Sequence, residues 1–420
     1  MEAVPNEFTL RIVKFQNGER YPFLVNSDGS PLWHPTLFIT TQIRNANKAT
    51  NTMVAALSAI RSLLVWCHKC NISLEARFST QYLLNEQELE SLALFVREKI
   101  LKNNTQQHKK SHTVKKLESA RQRPAIANPC VTSNTLSIRI AYISEYLGWL
   151  AIRVIERDRK QIDTDTWNRI DRMVVSLKKR KPQKRRTLAA FAKKGITETQ
   201  QEILLELVKP GSKNNPFTDN LQKRNQLIVL MLYCLGLRAG ELLALRISDI
   251  DFQDNTLLIA RRHNNPLDPR AYQPVVKTSD RRIPLSEALI KAIYDHIMQE
   301  RCCVPNAKYH DFLLVTHQNG PYLGQPLSAK GLSKVFSAIV AARPNELTGL
   351  TPHILRHTTN DRFSDLMEQK TVGNAEEEKL RSYLMGWREG SGTSATYTRR
   401  HVESKSHQAS LNLQNQLWKQ

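Results

Sequence analysis

The residues whose chemistry stands out lie towards the C-terminal end of the chain, where an imidazole and a guanidinium are three positions apart. Thr351 is a favourable helix N-cap and Pro352 suits the first helical position, so a helix is predicted to begin there. His353 and Arg356 then share one face of its first turns. A helix N-terminus with these groups suits a phosphate oxygen. With Tyr397 farther along the chain, the pattern predicts a phosphoryl-transfer enzyme that uses a tyrosine nucleophile.

Three further residues could serve such a reaction, although each has an ordinary structural alternative. Arg238 follows a predicted helix break, where the backbone would hold its guanidinium for a bidentate contact with phosphate, or it forms an ion pair with Glu241. Lys277 is expected beside a turn and could reach a groove, or it is a surface lysine. Trp387 could contact a substrate or belong to a core, and the same alternative holds for His353.

Taken together, these residues form an ordered set of motifs, and on that set the sequence resembles the tyrosine recombinase (phage-type integrase) family. The motifs are 236–242 (GLRAGEL), 277–285 (KTSDRRIPL), 353–357 (HILRH), Gly386-Trp387 and Tyr397. The helical segment ahead of them resembles the core DNA-binding domain of that family. The resemblance therefore covers residues 46–400.

The resemblance implies a role for each catalytic position. Two arginines and an indole would stabilise the non-bridging oxygens, an imidazole would take the proton of the tyrosine, and a lysine would protonate the departing 5′ oxygen. The product would be a 3′-phosphotyrosyl link that stores the bond energy, so neither metal nor ATP nor another cofactor is expected. The catalytic residues implied in this way are Arg238, Lys277, His353, Arg356, Trp387 and the nucleophile Tyr397.

Two features depart from the family pattern. Trp387 stands where histidine is more common, and an indole donates one hydrogen bond but does not exchange a proton near neutral pH. Between Arg356 and Gly386 the chain also carries a polar and acidic insertion, residues 368–379, that is longer than is usual in the family. Tyr383 is the competing tyrosine, and its place on an apolar helical pattern predicts that it packs against its own domain.

Composition favours a polyanionic partner. The chain of 420 residues has 61 basic and 39 acidic side chains and a formal charge of +22, which indicates nucleic acid before membrane. The longest apolar run, residues 227–237, is too short to cross a bilayer, and no signal peptide is recognised, so a cytoplasmic, nucleoid-associated protein is expected. Six scattered cysteines give no four-ligand pattern, and no metal site is expected.

The domain organisation follows from shifts in composition and periodicity. The predicted parts are an N-terminal appendage with short strands (1–45), a helical core DNA-binding domain (46–177), a basic linker (178–196), a catalytic domain (197–400) and a C-terminal tail (401–420). The tail could pack on its own domain or, as the family resemblance implies, dock on a neighbouring protomer. A polar stretch, residues 102–122, is predicted to be a mobile loop.

The predicted fold class is mainly α with a small antiparallel β-sheet: a helical DNA-binding domain followed by an α+β catalytic domain. Three strands are expected in the catalytic part, at 256–260, 272–277 and 281–285, with the last two forming a hairpin around a turn. Thr197 and Gln200 have the spacing of a capping box at the start of a helix.

These observations predict a site-specific DNA recombinase or integrase of a mobile genetic element. By the family resemblance it would act on double-stranded DNA as a homotetramer bound to two sites, with an accessory DNA-bending protein as a possible partner. A type IB topoisomerase would share the chemistry but relax any supercoiled DNA as a monomer. A DNA-binding protein that has lost catalysis is the alternative from a different class.

Overall fold

The computed structural model describes residues 8–98, 130–158, 162–183 and 195–388, together with seven single positions (392, 394, 397, 406, 410, 411 and 414). The predicted mobile loop at 102–122, most of the basic linker and nearly all of the C-terminal tail lie outside these residues. The chain divides into two compact units, one formed by residues 1–14 and 20–185 and the other by residues 15–19 and 186–420.

The first unit is a helical bundle that carries a two-stranded hairpin. The strands β1 and β2 are antiparallel, with Thr9 opposite Val25. In the bundle, α2 and α6 both pack against α5. The elements are β1 (Thr9–Lys14), β2 (Arg20–Val25), α1 (Trp33–Phe38) with a π-helical continuation (Ile39–Arg44), α2 (Thr50–Lys69), α3 (Leu74–Ser79), α4 (Glu86–Arg97), α5 (Ser133–Asp158) and α6 (Thr164–Lys179).

Helix α2 is long and apolar enough to cross a membrane by length and composition alone, which the 11-residue run at 227–237 is not. More than half of its apolar window is buried inside the unit. Ala56, Leu57, Ile60 and Leu63 are completely buried, with partners that include Tyr146 of α5. The apolar character of α2 is therefore that of a core helix.

The second unit is built around the apolar helix α8, and its small sheet has the order β3-β4-β5. The predicted capping box at Thr197 and Gln200 is present, and Gly236 ends α8 in a left-handed conformation (φ 60°). The elements are α7 (Glu198–Leu207), α8 (Asp219–Leu235), α9 (Ala239–Ala244), β3 (Ile250–Asp251), β4 (Thr256–Ile259), β5 (Arg281–Pro284), α10 (Glu287–Asp295), α11 (Ala329–Ala342), α12 (Pro352–Gln369) and α13 (Asn374–Met385).

The sheet differs from the sequence prediction in its pairing. Strand β4 pairs antiparallel with β5 directly, with Leu257 opposite Ile283, and the third strand is β3. Residues 272–277 form no strand, so the prediction of a hairpin with this segment was wrong. Because Pro274 removes a backbone donor and Val276 alone in this run is buried, the segment offers neither a continuous ladder nor an alternating face.

The acidic segment at 368–379 spans the turn between two helices. It includes the end of α12 and the first half of α13, and Arg381 of α13 is completely buried in an ion pair with Glu377. Tyr383 lies on the other side of α13 with 64% of its surface exposed, so the prediction that it packs was wrong. The apolar residues of its pattern contributed to that error, since Leu380 is also 44% exposed.

Candidate active site

Helix α12 begins as the sequence predicts. The hydroxyl of Thr351 accepts a hydrogen bond from the backbone N–H of Ile354, and Pro352 occupies the first turn. This start places His353 and Arg356 on one face of the first turns. His353 is exposed, whereas only 1% of Arg356 is accessible to solvent.

Arg356 connects three segments of the unit. Its guanidinium donates to the carbonyl of Gly236 (2.5 Å), which ends α8, and to the carbonyl of Met385 (3.0 Å), which ends α13. Burial lowers the pKa of Arg356 to about 9, with a further contribution from Arg238 and opposition from Glu241. The group therefore stays cationic at neutral pH, and its position is fixed by carbonyls that only a planar, multi-donor side chain satisfies together.

Arg238 is the N-cap residue of α9. Its backbone N–H donates to Glu241 (3.0 Å), and its guanidinium lies 3.4 Å from the same carboxylate. About a third of the Arg238 side chain remains exposed. The ion-pair alternative and the phosphate role are therefore compatible, because the carboxylate fixes the guanidinium while part of it still faces solvent.

Glu241 is the common partner of the basic groups. Its carboxylate accepts hydrogen bonds from the guanidinium of Arg281 (3.0 Å) and from the hydroxyl of Thr278 (2.7 Å). The guanidinium of Arg356 lies 3.8 Å from the same carboxylate. Burial raises the pKa of the Glu241 carboxyl, but Arg281, Arg356 and the Thr278 hydrogen bond outweigh it, and the net shift is downward. A buried carboxylate thus compensates the positive charge gathered beneath the site.

Gly386 brings the end of α13 onto this cluster. Its φ of 62° is left-handed, and a Cβ placed there would lie 2.6 Å from Arg281 Nη1 and 2.9 Å from Cβ of Thr278. The backbone N–H of Ser279 donates to the Gly386 carbonyl (3.2 Å). Glycine is required here for both its conformation and its small size. The left-handed turn at Gly386 sets the position of the following residue, Trp387.

Tyr397 lies against Trp387 and α12. Its ring stacks on the Trp387 indole with a centroid separation of 5.2 Å. Its hydroxyl lies 2.7 Å from Nδ1 of His357, and 7% of the residue is exposed. The ring of His357 meets that of the exposed His353 edge-on, with centroids 4.4 Å apart.

Trp387 links the tyrosine to the buried arginine. The guanidinium carbon of Arg356 lies 5.4 Å from the centre of the indole ring. The indole Nε1 is buried and has no hydrogen-bond partner among the residues that the structure describes. A buried donor of this kind usually has an acceptor, so an incoming oxygen is an appropriate partner.

Lys277 lies in the loop before β5, immediately ahead of Thr278. It is exposed, and no ion pair or hydrogen bond joins it to another residue in the described part of the chain. Five of the six sequence-predicted residues therefore form one connected cluster, namely Arg238, His353, Arg356, Trp387 and Tyr397. Within the described part of the chain, Lys277 is connected to this cluster through its neighbour Thr278.

Sequence reasoning missed two residues of this cluster. His357 follows Arg356 directly and is one helical turn after His353, and that spacing would have placed it on the same face. Arg281 lies within the lysine motif, but its partners come from positions 241 and 384, which no local pattern reveals. The cluster thus combines a phenol, an imidazole beside it and guanidinium groups. Together these groups can support nucleophilic attack on a phosphodiester.

Comparison with known proteins identifies a family and several relatives. The model of the phage integrase family matches residues 194–403, half of the chain. Transposase A of transposon Tn554 from Staphylococcus aureus is 31% identical over 137 residues, covering 32% of this chain and 35% of the transposase. The tyrosine recombinase XerD of Halalkalibacterium halodurans is 27% identical over 165 residues, covering 39% of this chain and 46% of XerD. The chain thus spans less than half of the length of these relatives.

Solved structures give a weaker likeness. The Tn1549 transposon integrase in complex with circular intermediate DNA is 19% identical, covers 67% of this chain and 81% of its own, and has a TM-score of 0.39. A TM-score below 0.5 does not establish a shared arrangement of the whole chain. The family match over residues 194–403, which include the whole cluster, confirms the resemblance inferred from the sequence: the chain belongs to the phage integrase family of tyrosine recombinases.

Proposed function

We propose that this protein is a site-specific DNA recombinase in which Tyr397 attacks a phosphodiester and forms a 3′-phosphotyrosyl intermediate. The observation that carries the proposal is the position of the Tyr397 hydroxyl, 2.7 Å from an imidazole on the helix that also bears Arg356. The relatives named as transposase and tyrosine recombinase support the same reaction class.

The guanidinium groups and the indole would stabilise the phosphate. Arg238 is partly exposed and would grip a non-bridging oxygen, and Trp387 would donate its unused N–H to another. Arg356 lies against the face of the indole, is itself almost completely buried, and adds positive charge next to these donors. Since negative charge on these oxygens increases in the transition state, donors that are already in place lower the barrier.

Protons must also move for the reaction to proceed. A phenol has a pKa of about 10 in water, so Tyr397 needs an acceptor for its proton at neutral pH. The family resemblance gives that role to His353 and gives Lys277 the protonation of the 5′ oxygen. Lys277 is exposed in the free protein, so its ammonium is accessible to the 5′ oxygen of a bound duplex. The phosphotyrosyl bond conserves the energy of the broken linkage, so rejoining requires neither metal nor ATP.

Double-stranded DNA is the proposed partner, and the charge of +22 supports it because each phosphate neutralised by a basic side chain releases counterions. A homotetramer on two DNA sites, with an accessory DNA-bending protein, would carry out the exchange. The named relatives are bacterial, so the protein is proposed to work in the cytoplasm, in association with the nucleoid.

Covalent capture tests the proposal. Purified protein is incubated with genomic fragments that flank its own gene and with supercoiled plasmid, and DNA that remains linked to protein after denaturation is sequenced. We expect adducts at one discrete sequence, and none with Tyr397→Phe. Adducts on every fragment together with plasmid relaxation would favour a topoisomerase. DNA binding without any adduct would favour a protein that has lost catalysis.

A further inference from the structure

Of the two histidines near the tyrosine, the buried one contacts the reacting oxygen. Tyr397 Oη lies 2.7 Å from Nδ1 of His357, which is within hydrogen-bond distance. His357 is 8% exposed and Tyr397 is 7% exposed, so bulk water has little access to this hydrogen bond. His353, to which the family resemblance gives the role of base, is exposed and meets the His357 ring edge-on.

We propose that His357, and not His353, takes the proton of Tyr397 when the tyrosine attacks DNA. The inference rests on the proposed function, since it assigns a residue to that reaction. In the neutral imidazole that carries its proton on Nε2, Nδ1 is the acceptor, and the phenol donates to it. The exposed His353 is then left to contact a phosphate oxygen.

The step balances without an additional reactant. The Oη–H bond of Tyr397 breaks and its proton moves to Nδ1 of His357, while the oxygen forms a bond to phosphorus. The bond from phosphorus to the 5′ oxygen breaks, and that oxygen receives a proton from the Lys277 ammonium. Rejoining is the reverse: the 5′-hydroxyl returns its proton to the amine, and the imidazolium returns its proton to the tyrosine.

The surrounding residues fix the relative positions of Tyr397 and His357. Tyr397 is stacked on Trp387, whose position follows from the left-handed Gly386, and His357 is fixed on α12 next to the anchored Arg356. The proton acceptor and the buried arginine that adds positive charge to the site are therefore adjacent on one helix.

The test separates proton transfer from positioning. His357→Asn keeps a side-chain oxygen that can accept a hydrogen bond near the place of Nδ1 but is not basic, whereas His357→Phe removes both properties. The substrate is a pool of duplexes with randomised sequence on both sides of one 5′-bridging phosphorothiolate, or of an ordinary phosphodiester in the parallel experiment. A thiolate leaves without a proton, so only the need for an acid disappears with the modified linkage.

We expect His357→Asn and His357→Phe to form the covalent adduct about 100-fold or more slowly than the wild-type protein on both substrates, in line with the usual contribution of a general base. Lys277→Ala should be slow on the phosphodiester and near the wild-type rate on the phosphorothiolate. His353→Asn is the matched control and should show a smaller loss than His357→Asn. DNA affinity and the unfolding temperature of each variant identify any defect in folding.

Three results would overturn the inference. Adduct formation by His357→Asn within about threefold of the wild-type rate would make His357 a positioning residue, because only the hydrogen bond would then be needed. A larger loss in His353→Asn than in His357→Asn would return the role to His353. Failure of the wild-type protein to form any adduct would overturn the proposed function and this inference together. If both His357 variants unfold, the ¹⁵N resonance of His357 Nδ1 is compared between the wild-type protein and Tyr397→Phe. A change supports the hydrogen bond on which the inference depends, and an unchanged resonance would overturn the inference.

Discussion

The carboxylate of Glu241 and the guanidinium of Arg281 meet at 3.0 Å, with side chains that are 0% and 2% exposed. Glu241 also contacts Arg238, which is proposed to bind phosphate, and lies 3.8 Å from Arg356, whose buried charge supports the site. One carboxylate therefore compensates several cations in a region of low dielectric constant. The geometry of the phosphate site depends on a residue that would never touch the phosphate.

Glu241→Gln should destabilise the protein strongly. The amide preserves the shape of the side chain but leaves Arg281 and Arg356 buried without a counter-charge, and breaking a buried pair in this way costs about 3 kcal/mol or more. Urea denaturation of the full chain at neutral pH measures the free energy of unfolding. Glu206→Gln is the matched control, since its ion pair with Lys209 is exposed and should be worth less than about 1 kcal/mol. Equal effects of the two substitutions would contradict this account of Glu241.

Gly386→Ala should cost more than the backbone conformation alone requires. Both Gly386 and Gly211 have positive φ angles, 62° and 78°. Among the described residues, a Cβ at Gly211 would meet no atom within 4 Å, whereas one at Gly386 would meet the hydrogen-bonded guanidinium of Arg281. We expect Gly211→Ala to lose about 1 kcal/mol from left-handed strain and Gly386→Ala to lose about 2 kcal/mol or more. Thermal unfolding of the two variants compares them. A smaller loss for Gly386→Ala would show that the contact is relieved without cost.

Trp387→Phe should slow cleavage while leaving DNA binding intact. Phenylalanine keeps a ring that can stack on Tyr397 and lie over Arg356 but removes the Nε1 donor, and loss of one such donor costs about 100-fold in rate. The measurement is the rate of adduct formation beside DNA affinity on the same duplex. Trp387→His restores a donor and should recover part of the rate. An unchanged rate in Trp387→Phe would mean that the indole N–H does not contact the phosphate.

Acid should destabilise the second unit through a pair of buried histidines outside the site. Burial lowers the pKa of His296 to about 3 and that of His317 to about 4, and their rings are parallel with centroids 6.1 Å apart. The unfolded chain binds these protons near pH 6.5 and the folded chain only at lower pH, so this contribution is present above about pH 6.5 and is lost as the pH falls towards 4 and then 3.

His317→Gln should therefore reduce the loss of stability on acidification. Between pH 7 and pH 5 we expect the decrease in the free energy of unfolding to be smaller by about 1–2 kcal/mol in this variant than in the wild-type protein. The exposed His263→Gln serves as the control and should leave the decrease unchanged. The same pH dependence in all three proteins would contradict the assignment.

Much of this architecture follows from local sequence. The start of α12 at Thr351, the capping box at Thr197 and the break at Gly236 are all encoded within four residues, and each was predicted. The mainly helical class follows from periodicity in the same way. Local signals of this kind remain valid in the folded protein because the unpaired backbone N–H and C=O groups at a helix end need hydrogen-bond partners wherever the helix packs.

Contacts between segments that are distant in sequence could not be predicted from such local signals. The segment 272–277 has the composition of a strand, but its expected partner, β5, pairs with β4 instead. Tyr383 was predicted to be buried, although α13 turns it outwards. His357 was passed over because its partner, Tyr397, is 40 residues away along the chain. The roles of Glu241 and Arg281 likewise depend on contacts between segments that are distant in sequence.

The most direct measurement is the identity of the amino acid that carries DNA in the covalent adduct. Trapped complexes would be digested with protease and nuclease, and the modified peptide located by mass spectrometry, with Tyr383→Phe and Tyr397→Phe prepared in parallel. We predict a nucleotide on Tyr397 and an adduct that persists in Tyr383→Phe but is lost in Tyr397→Phe. A nucleotide on Tyr383, or an adduct that survives in Tyr397→Phe, would contradict the assignment of the nucleophile.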